Sequence, residues 1–286
     1  MQVPSEVLRL ALTSSGSSAL VAGHGTAFAQ DSYVDLYSIA DPSGHHSSVA
    51  VKILRPRFSE TLSGIVNMQL TQTIGRVDLL HPYLCPTSLL QAPDRPCLLL
   101  LTPYFKNGNI LTFVRNNPTV DIMNLVIQAA RALEYLHERD MTHGNIKATN
   151  LLIDDSGAVY LSDVQVNAVL RRIDVVRSGR VRLPGNLGYK PPEEIEPPVQ
   201  APDVYCTKPG DVYALAVLIC ELFARESYDP ANRSIQQWAQ SHASFLQNTA
   251  TMNVPPPLWD LLLSCWDLDP TRRPSASQVR RRLEGM

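Results

Sequence analysis

The chain has few cysteines, almost no net charge and no long apolar run. Its five cysteines lie far apart in the sequence and include no CxxC pair. That pattern argues against a disulfide framework and against a zinc site, and it suits a reducing compartment. The formal net charge is −2 over 286 residues. A chain so nearly neutral gives no reason to expect a nucleic-acid or membrane partner.

Long apolar segments are missing as well. The longest apolar run covers residues 214–220, far short of the roughly 20 residues that a membrane-spanning helix needs. Near the N-terminus, Glu6 and Arg9 interrupt the only apolar stretch, which makes it a poor secretion signal. We therefore expect a protein of the cytoplasm, with the nucleus also open to it.

The first third of the sequence has the pattern of a small sheet. Residues 12–26 are rich in Ser, Ala and Gly, which is typical of a flexible lead-in. Alternating or apolar runs then predict strands at 33–37, 48–54 and 97–101. Between the last two of these, residues 59–80 carry apolar side chains at helical spacing.

The remainder is predicted to be mostly helical. An amphipathic pattern predicts a helix over 119–137, and a nearly all-apolar run predicts a buried helix over 212–223. Two further helices are expected at 258–266 and 275–283. The order is therefore a small strand-rich lobe followed by a larger helical one.

Eight short segments carry the chemical signal. The most informative reads HGNIKATN at 143–150, with a Lys and an Asn at fixed spacing behind a His. Each of the others is unremarkable when taken alone. They are VAVK at 49–52, HP at 81–82, TPYFKNG at 102–108, YLSDVQ at 160–165, PPE at 191–193, DVY at 211–213 and CWDLDPTRRP at 265–274.

Taken together and in this order, these segments resemble the protein kinases, and the closest resemblance is to the tyrosine-kinase-like, fungal-type group. The resemblance implies an α+β, bilobal protein-kinase-like fold. Its N-lobe would be a small antiparallel β-sheet with one main helix, and its C-lobe would be larger and mostly α-helical. The implied bounds are a lead-in at 1–26 and a kinase-like domain at 27–284, divided into N-lobe 27–102, hinge 103–108 and C-lobe 109–284.

The resemblance also implies that the catalytic base is lost. In the family, an Asp beside the substrate hydroxyl stands at the position of Asn145. An amide cannot accept a proton at neutral pH as a carboxylate can. Gly144 replaces the Arg that would read a phosphate on the activation segment. Lys147 is kept in the catalytic loop, and its place two residues after Asn145 favours Ser/Thr over Tyr substrates.

The resemblance also implies that the binding of the nucleotide phosphates is weakened. Lys52 matches the strand lysine that pairs with the nucleotide phosphates. Gln72 stands where the family has the Glu that pairs with this lysine, so the charge-assisted part of that contact is lost.

The phosphate-binding loop has two alignments. In the first, its three glycine positions fall on Ala29, Asp31 and Val34, so close backbone approach is lost and a carboxylate faces the phosphates. In the second, Gly23 and Gly25 fill the first two positions, but Lys52 then lies too far downstream.

Adenine and metal binding are better preserved. Thr102 would be the gatekeeper, while Pro103 and Phe105 would contact adenine through their backbone groups. Asn150 and Asp163 would hold Mg²⁺, because hard cations prefer oxygen ligands. Weak binding of ATP and Mg²⁺ is the resulting expectation.

The resemblance implies structural roles for four further residues. His143 belongs to the catalytic loop, Asp211 supports that loop's backbone, and Glu193 forms a buried ion pair with Arg273. Gln165 departs from the family, which has a Gly there, and should hinder a flip of the segment after Asp163 because Gln rarely adopts positive φ.

Residues 171–182 contain five arginines, opposed only by Asp174. One interpretation is a solvated, mobile activation segment. The other is a docking surface for an acidic protein partner.

Two hypotheses for the function remain. In the first, the chain is a pseudokinase, a signalling scaffold or allosteric partner that binds ATP weakly. In the second, it is a weakly active Ser/Thr protein kinase that transfers the γ-phosphate of ATP, because positioning carries much of phosphoryl transfer.

Overall fold

The computed structural model describes residues 27–30, 34–39, 49–54, 79–91, 98–164, 166, 187–195, 206–225 and 254–286. The chain divides into two compact units. The first comprises Met1–Leu80 with Cys85–Phe105, and the second comprises His81–Leu84 with Lys106–Met286.

The first unit contains a five-stranded antiparallel sheet. Its strands are β1 (Ala27–Gln30), β2 (Val34–Ile39), β3 (Val49–Leu54), β4 (Ser88–Gln91) and β5 (Leu98–Pro103). They lie in the order β1-β2-β3-β5-β4. Strands β2, β3 and β5 agree with the three predicted runs within a few residues, while β1 and β4 were not predicted. Strand β3 is central, and its Lys52 lies opposite Leu36 on one side and Leu100 on the other.

The helix predicted over 59–80 falls almost entirely outside the described residues. Its last two residues, Leu79 and Leu80, are described and are not helical, so the predicted end was wrong. The pair His81-Pro82 that follows disfavours helix at His81, because a residue before proline is disfavoured in the helical region. The Leu80 side chain is accordingly left largely exposed.

The second unit is mostly helical. Its helices are α1 (Ile110–Asn116), α2 (Ile122–Glu138), α3 (Pro192–Ile195), α4 (Lys208–Ala224), α5 (Pro256–Cys265) and α6 (Ala276–Glu284). Strands β6 (Leu151–Ile153) and β7 (Val159–Leu161) form a small hairpin. Helices α2, α4, α5 and α6 correspond to the four predicted helices, whereas α1, α3 and β6 were not predicted.

Helix α4 is the centre of the second unit's core. Every residue from Gly210 to Leu222 is buried, as its nearly all-apolar sequence predicted. The helix begins at an N-cap in which the Thr207 hydroxyl accepts a hydrogen bond from the Gly210 N–H at 2.9 Å. This start is also where Asp211 enters the core, so a carboxylate is carried into the unit's interior by the first turn of the helix.

Helices α2 and α6 pack against each other. Helix α6 begins with a capping box between Ser275 and Gln278. Ion pairs join the two helices, with Arg131 on Glu284 at 2.8 Å and Arg280 on Glu134. Among the residues that the structure describes, no helix combines the length and the apolar character needed to cross a bilayer. The small antiparallel sheet and the predominantly helical remainder form the predicted α+β, bilobal fold.

Candidate functional site

The loop 143–150 lies in the second unit between α2 and β6, and a buried carboxylate holds its backbone. Asp211 Oδ2 accepts a hydrogen bond from the His143 N–H at 2.8 Å, and Oδ1 accepts one from the Gly144 N–H at 2.7 Å. The same Oδ2 lies 3.0 Å from His137 Nε2. Burial alone would raise the pKa of the Asp211 carboxyl, but the hydrogen bonds that it makes with the His137 side chain and the His143 backbone outweigh burial and lower the pKa. The carboxylate is therefore ionised at neutral pH.

The His143 ring has one tautomer that fits its surroundings. Its Nδ1 receives the Asn145 N–H at 3.2 Å, and its Nε2 lies 2.7 Å from the Ser162 carbonyl oxygen. An N–H can only point at a lone pair, so Nδ1 must be unprotonated and Nε2 must carry the hydrogen. Burial, with help from the Lys190 charge, lowers the pKa of His143 although the Asp211 charge opposes it. The neutral ring thus ties the loop to the strand end before Asp163.

Asn145 is the residue that the sequence predicts in place of the catalytic base. Its backbone is fixed on both sides, because its N–H bonds His143 and its carbonyl accepts the Asn150 side chain at 2.9 Å. Its side chain is partly exposed, as is that of Lys147. The Asn145 side chain is a neutral amide, so it has no group that can accept a proton at neutral pH.

The β6–β7 hairpin places Asn150 beside Ser162, the residue that precedes Asp163. Leu151 pairs with Leu161, so the residue before β6 faces the residues after β7. The Ser162 N–H donates to the Asn150 carbonyl at 2.8 Å, and Asp163 follows directly at φ +61°. Because Asn150 Nδ2 donates to Asn145, the amide oxygen Oδ1 lies at the other end of the buried side chain. An amide oxygen and a carboxylate are the donors that Mg²⁺ prefers.

Gly144 occupies a backbone position that few other residues could take. Its φ is +73°, and a Cβ there would lie 2.5 Å from Cys206 Sγ. The left-handed conformation alone costs an L-residue roughly 1–2 kcal/mol. The space that a longer side chain would need is filled by Cys206, so the arginine of related loops cannot be restored at 144 without other changes.

Glu193 and Arg273 are brought together although 80 residues separate them. The guanidinium makes two parallel bonds to the carboxylate, at 2.6 and 2.8 Å. Arg273 Nε also donates to the Asp267 carbonyl at 2.9 Å, and the group lies 5.0 Å from the centre of the Tyr213 ring. This arrangement joins α3 to the segment before α6 in the core.

A profile of the family described as protein tyrosine and serine/threonine kinase matches residues 25–283. The chain belongs to the protein kinase family. The Dictyostelium discoideum protein named as a probable serine/threonine-protein kinase, drkD, is 29% identical over 252 residues, which are 84% of this chain and 18% of that protein. The Acanthamoeba polyphaga mimivirus protein R826, named as a serine/threonine-protein kinase/receptor, is 22% identical over 250 residues, 84% of this chain and 14% of that protein. The chain thus spans less than a fifth of the length of either relative.

The remaining candidates of the kinase domain lie in the first unit or outside the described residues. Lys52 is on β3, where only its backbone is described. Thr102 is buried on β5, Pro103 ends that strand, and Phe105 is partly exposed. Ala29 and Val34 lie on β1 and β2. The other sequence candidates, namely 12–26, Asp31, Gln72, Gln165 and 171–182, lie outside the described residues.

Sequence reasoning missed several polar groups that surround the catalytic loop. Tyr189 receives the Ala148 N–H at 3.2 Å on its hydroxyl oxygen and donates its hydroxyl hydrogen to the buried Glu221. His137 shares Asp211 with the loop. A second buried pair, Lys190 with Glu194, also contacts the loop. The one available signal was the i,i+4 spacing of this Lys and Glu around PPE, which also fits an exposed pair.

Proposed function

We propose that this kinase domain is a pseudokinase that acts as a signalling scaffold or allosteric partner. The observation that carries the proposal is Asn145, a neutral amide at the base position of a loop whose backbone support is otherwise complete. The loss of a general base alone reduces a rate by about 10²–10⁴-fold. Asp211, His143 and the Glu193–Arg273 pair keep the scaffold, so the change falls on chemistry and spares the fold.

Further support comes from the other departures in sequence. Gln72 replaces the acid that pairs with Lys52, Asp31 brings a negative charge to the phosphate-binding loop, and Gln165 replaces a glycine. Each weakens a different contribution to phosphoryl transfer. Gln72 weakens the positioning of the phosphates by Lys52, Asp31 repels the phosphate charge, and Gln165 restricts the mobility of the segment after Asp163. Their coincidence in one chain favours a binding function over catalysis.

Weak binding of ATP and Mg²⁺ is part of the proposal. Asn150 and Asp163 would hold the metal, Lys52 the phosphates, and Thr102 with the backbone of Phe105 the adenine. Bound Mg²⁺ would neutralise charge on the phosphate oxygens. The orientation of the Asn150 amide by Asn145 supports this fit, because it leaves Oδ1 as the end available to a cation.

The proposal is tested by phosphate transfer from labelled ATP with Mg²⁺ or Mn²⁺, comparing the purified chain with its Lys52→Met variant. We expect the same background incorporation of label in both chains, because the Asn145 amide cannot take the proton of the substrate hydroxyl. Incorporation by the wild type that disappears in Lys52→Met would overturn the pseudokinase proposal and identify a working active site.

The second candidate is a weakly active Ser/Thr protein kinase. Lys147 is kept beside Asn145, and Asn150 and Asp163 lie at neighbouring ends of one hairpin. Since positioning carries much of the catalysis in phosphoryl transfer, a chain with these groups could retain a low rate. Both relatives described above are named as serine/threonine-protein kinases.

A double variant, Asn145→Asp with Gln72→Glu, tests whether these two replacements account for the loss of activity. If the base and the Lys52 partner are the main missing parts, the rate should rise by at least about 10²-fold. The same transfer assay measures it, with Asn145→Asp in a Lys52→Met background as the control. A double variant that stays at background would mean that the site is remodelled beyond these two positions.

The proposal also includes a kinase group, a cellular compartment and a kind of protein partner. We place the domain in the tyrosine-kinase-like group, in the cytoplasm, with a protein partner of acidic character. The arginines of 171–182 supply the positive charge for such a partner. A pull-down with acidic and basic peptides of equal length would test the charge preference, and equal capture would contradict it.

A further inference from the structure

Lys190 and Glu194 form a buried charged pair beneath the catalytic loop. Their side chains are only 8% and 2% exposed, and Lys190 Nζ lies 3.4 Å from Glu194 Oε2. Lys190 Nζ also donates to the Gly144 carbonyl oxygen at 2.8 Å. A buried lysine is costly unless its ammonium is paired and hydrogen-bonded, and here both conditions are met. The pair therefore links the segment around α3 to the loop directly.

Two glycines make room for this pair and its neighbours. A Cβ on Gly210 would lie 2.3 Å from Glu194 Oε1, so the first turn of α4 accepts this carboxylate only because position 210 is a glycine. The same Oε1 accepts the Thr207 N–H at 3.4 Å. At Gly144, the missing side chain leaves space that Cys206 fills. Gly210 and the Glu194 carboxylate thus fit one another across two separate segments.

The contact with Gly144 acts on the residues that follow it in the loop. Gly144 precedes Asn145, whose carbonyl accepts Nδ2 of Asn150 and so orients the amide that would hold the metal. Fixing the Gly144 carbonyl restricts the same peptide plane that carries the Asn145 N–H. A charge-assisted hydrogen bond at this point is stronger than a neutral one. The Lys190 ammonium is thus linked to the candidate metal ligand Asn150 through the backbone carbonyl groups of two consecutive residues, Gly144 and Asn145.

We propose that Lys190, supported by Glu194, is a positioning residue that holds the catalytic loop in its binding geometry without a phosphate on the activation segment. The loop has no arginine at position 144 that could bind such a phosphate. The cation that contacts the loop is the Lys190 ammonium instead. This deepens the proposed nucleotide-binding function and, for Asn150, rests on it. The effect on the loop backbone stands independently of that function.

Amide hydrogen exchange of the loop tests the positioning role. In Lys190→Met we expect the amides of His143, Gly144, Asn145 and Asn150 to exchange about 10- to 100-fold faster, because a hydrogen bond to a charged group is lost. This single variant leaves Glu194 without its cation and could fail to fold. The double variant Lys190→Met with Glu194→Leu removes both charges, so its melting temperature should lie near that of the wild type.

The double variant separates positioning from stability. If Lys190 positions the loop, exchange in the double variant stays fast although the melting temperature has recovered. Exchange that returns to the wild-type rate together with the melting temperature would overturn the proposal, because the pair would then only balance its own burial. The matched control is Lys208→Met, whose lysine is partly exposed and pairs with Asp140 at 2.7 Å. That variant should leave loop exchange unchanged.

Two further measurements complete the test. Dephosphorylated wild-type chain, checked by intact mass, should keep full protection of the loop, and a loss of protection would overturn the phosphate-independent part. Electron paramagnetic resonance measures the binding of Mn²⁺ with ATP to the chain, and the double variant should bind them at least about tenfold more weakly than the wild type. An unchanged affinity would remove Asn150 from the proposal. Wild-type chain that binds no Mn²⁺ with ATP would contradict the proposed nucleotide binding, while the exchange result would still decide the role of Lys190.

Discussion

Replacing Arg273 with methionine is expected to lower the free energy of unfolding by about 3–5 kcal/mol, the usual effect of removing one member of a buried ion pair. The Arg273 side chain has no exposed surface, and that of Glu193 is 12% exposed. Methionine can fill much of the volume but carries no donor. Glu193 would then keep its charge in the core with neither of its two guanidinium bonds.

The loss extends beyond the ion pair itself. Arg273 also donates to the carbonyl oxygens of Asp267 and Pro209, at 2.9 and 3.3 Å. These acceptors belong to different segments, so one side chain joins α3, the start of α4 and the approach to α6. A buried acceptor that loses its donor without access to water costs additional free energy.

Urea unfolding followed by circular dichroism measures the change. Arg272→Met is the matched control, because the neighbouring side chain is 74% exposed and makes only a long contact of 3.6 Å with Asp269. That variant should unfold at nearly the wild-type urea concentration. Equal midpoints for the two arginine variants would contradict the structural role of Arg273. The double variant Arg273→Met with Glu193→Met should recover part of the loss, since no charge is left buried.

The main elements could be predicted from the sequence because their patterns are local. The amphipathic run that became α2 and the apolar run that became α4 each extend over several turns, long enough for a helical period to stand out. Helix α1 was missed although Asn109 caps it by accepting the Thr112 N–H. Its seven residues give too short a pattern, and the same holds for the three-residue strand β6.

The candidate site could be predicted in identity more than in geometry. Asn145, Asn150 and Asp163 were found because the spacing of their motifs resembles a known family. That Asp211 holds the loop backbone 68 residues away could come only from that resemblance, since no local pattern encodes so distant a contact.

Lys190 and Glu194 show what neither approach could supply. A lysine and a glutamate four residues apart are normally a solvated pair, because both types are rarely buried. The burial of Glu194 depends on Gly210, where a Cβ would lie 2.3 Å from Glu194 Oε1. Such mutual fitting of distant positions is a property of tertiary packing and leaves no periodic signal in the sequence.

The second large effect is expected at Asp211, where an asparagine keeps the shape of the side chain but loses one acceptor oxygen and the charge. Whichever way the amide turns, its NH₂ group faces a loop N–H that now donates to Asp211. At least one buried donor is left unsatisfied, which costs about 1–3 kcal/mol. Asp211→Ala removes every acceptor and should cost more, on the order of 3 kcal/mol or above, because the N–H groups of His143 and Gly144 and the His137 ring all lose their partner.

The pH of the measurement follows from the direction of the pKa shift. The carboxyl pKa in the folded state lies below the ordinary value of 3.8. A group of this kind contributes its stabilisation fully above the unfolded-state pKa and loses it as the pH falls through the folded-state pKa. Unfolding at pH 7 therefore measures the ionised Asp211 in full, and the difference from Asp211→Asn should shrink as the pH falls below the ordinary pKa of 3.8 and through the lower folded-state pKa.

The matched control is Asp140→Asn, which changes another aspartate of the same unit in the same way. Asp140 is 95% exposed, and Asn tolerates its positive φ of 56°. This variant should unfold like the wild type, although it weakens the pair with Lys208. Hydrogen exchange adds a local readout, because Asp211→Asn should speed exchange at His143 and Gly144 while Asp140→Asn should not. Slow exchange at both amides in Asp211→Asn would mean that the loop keeps its shape without the carboxylate, and would contradict the supporting role of Asp211.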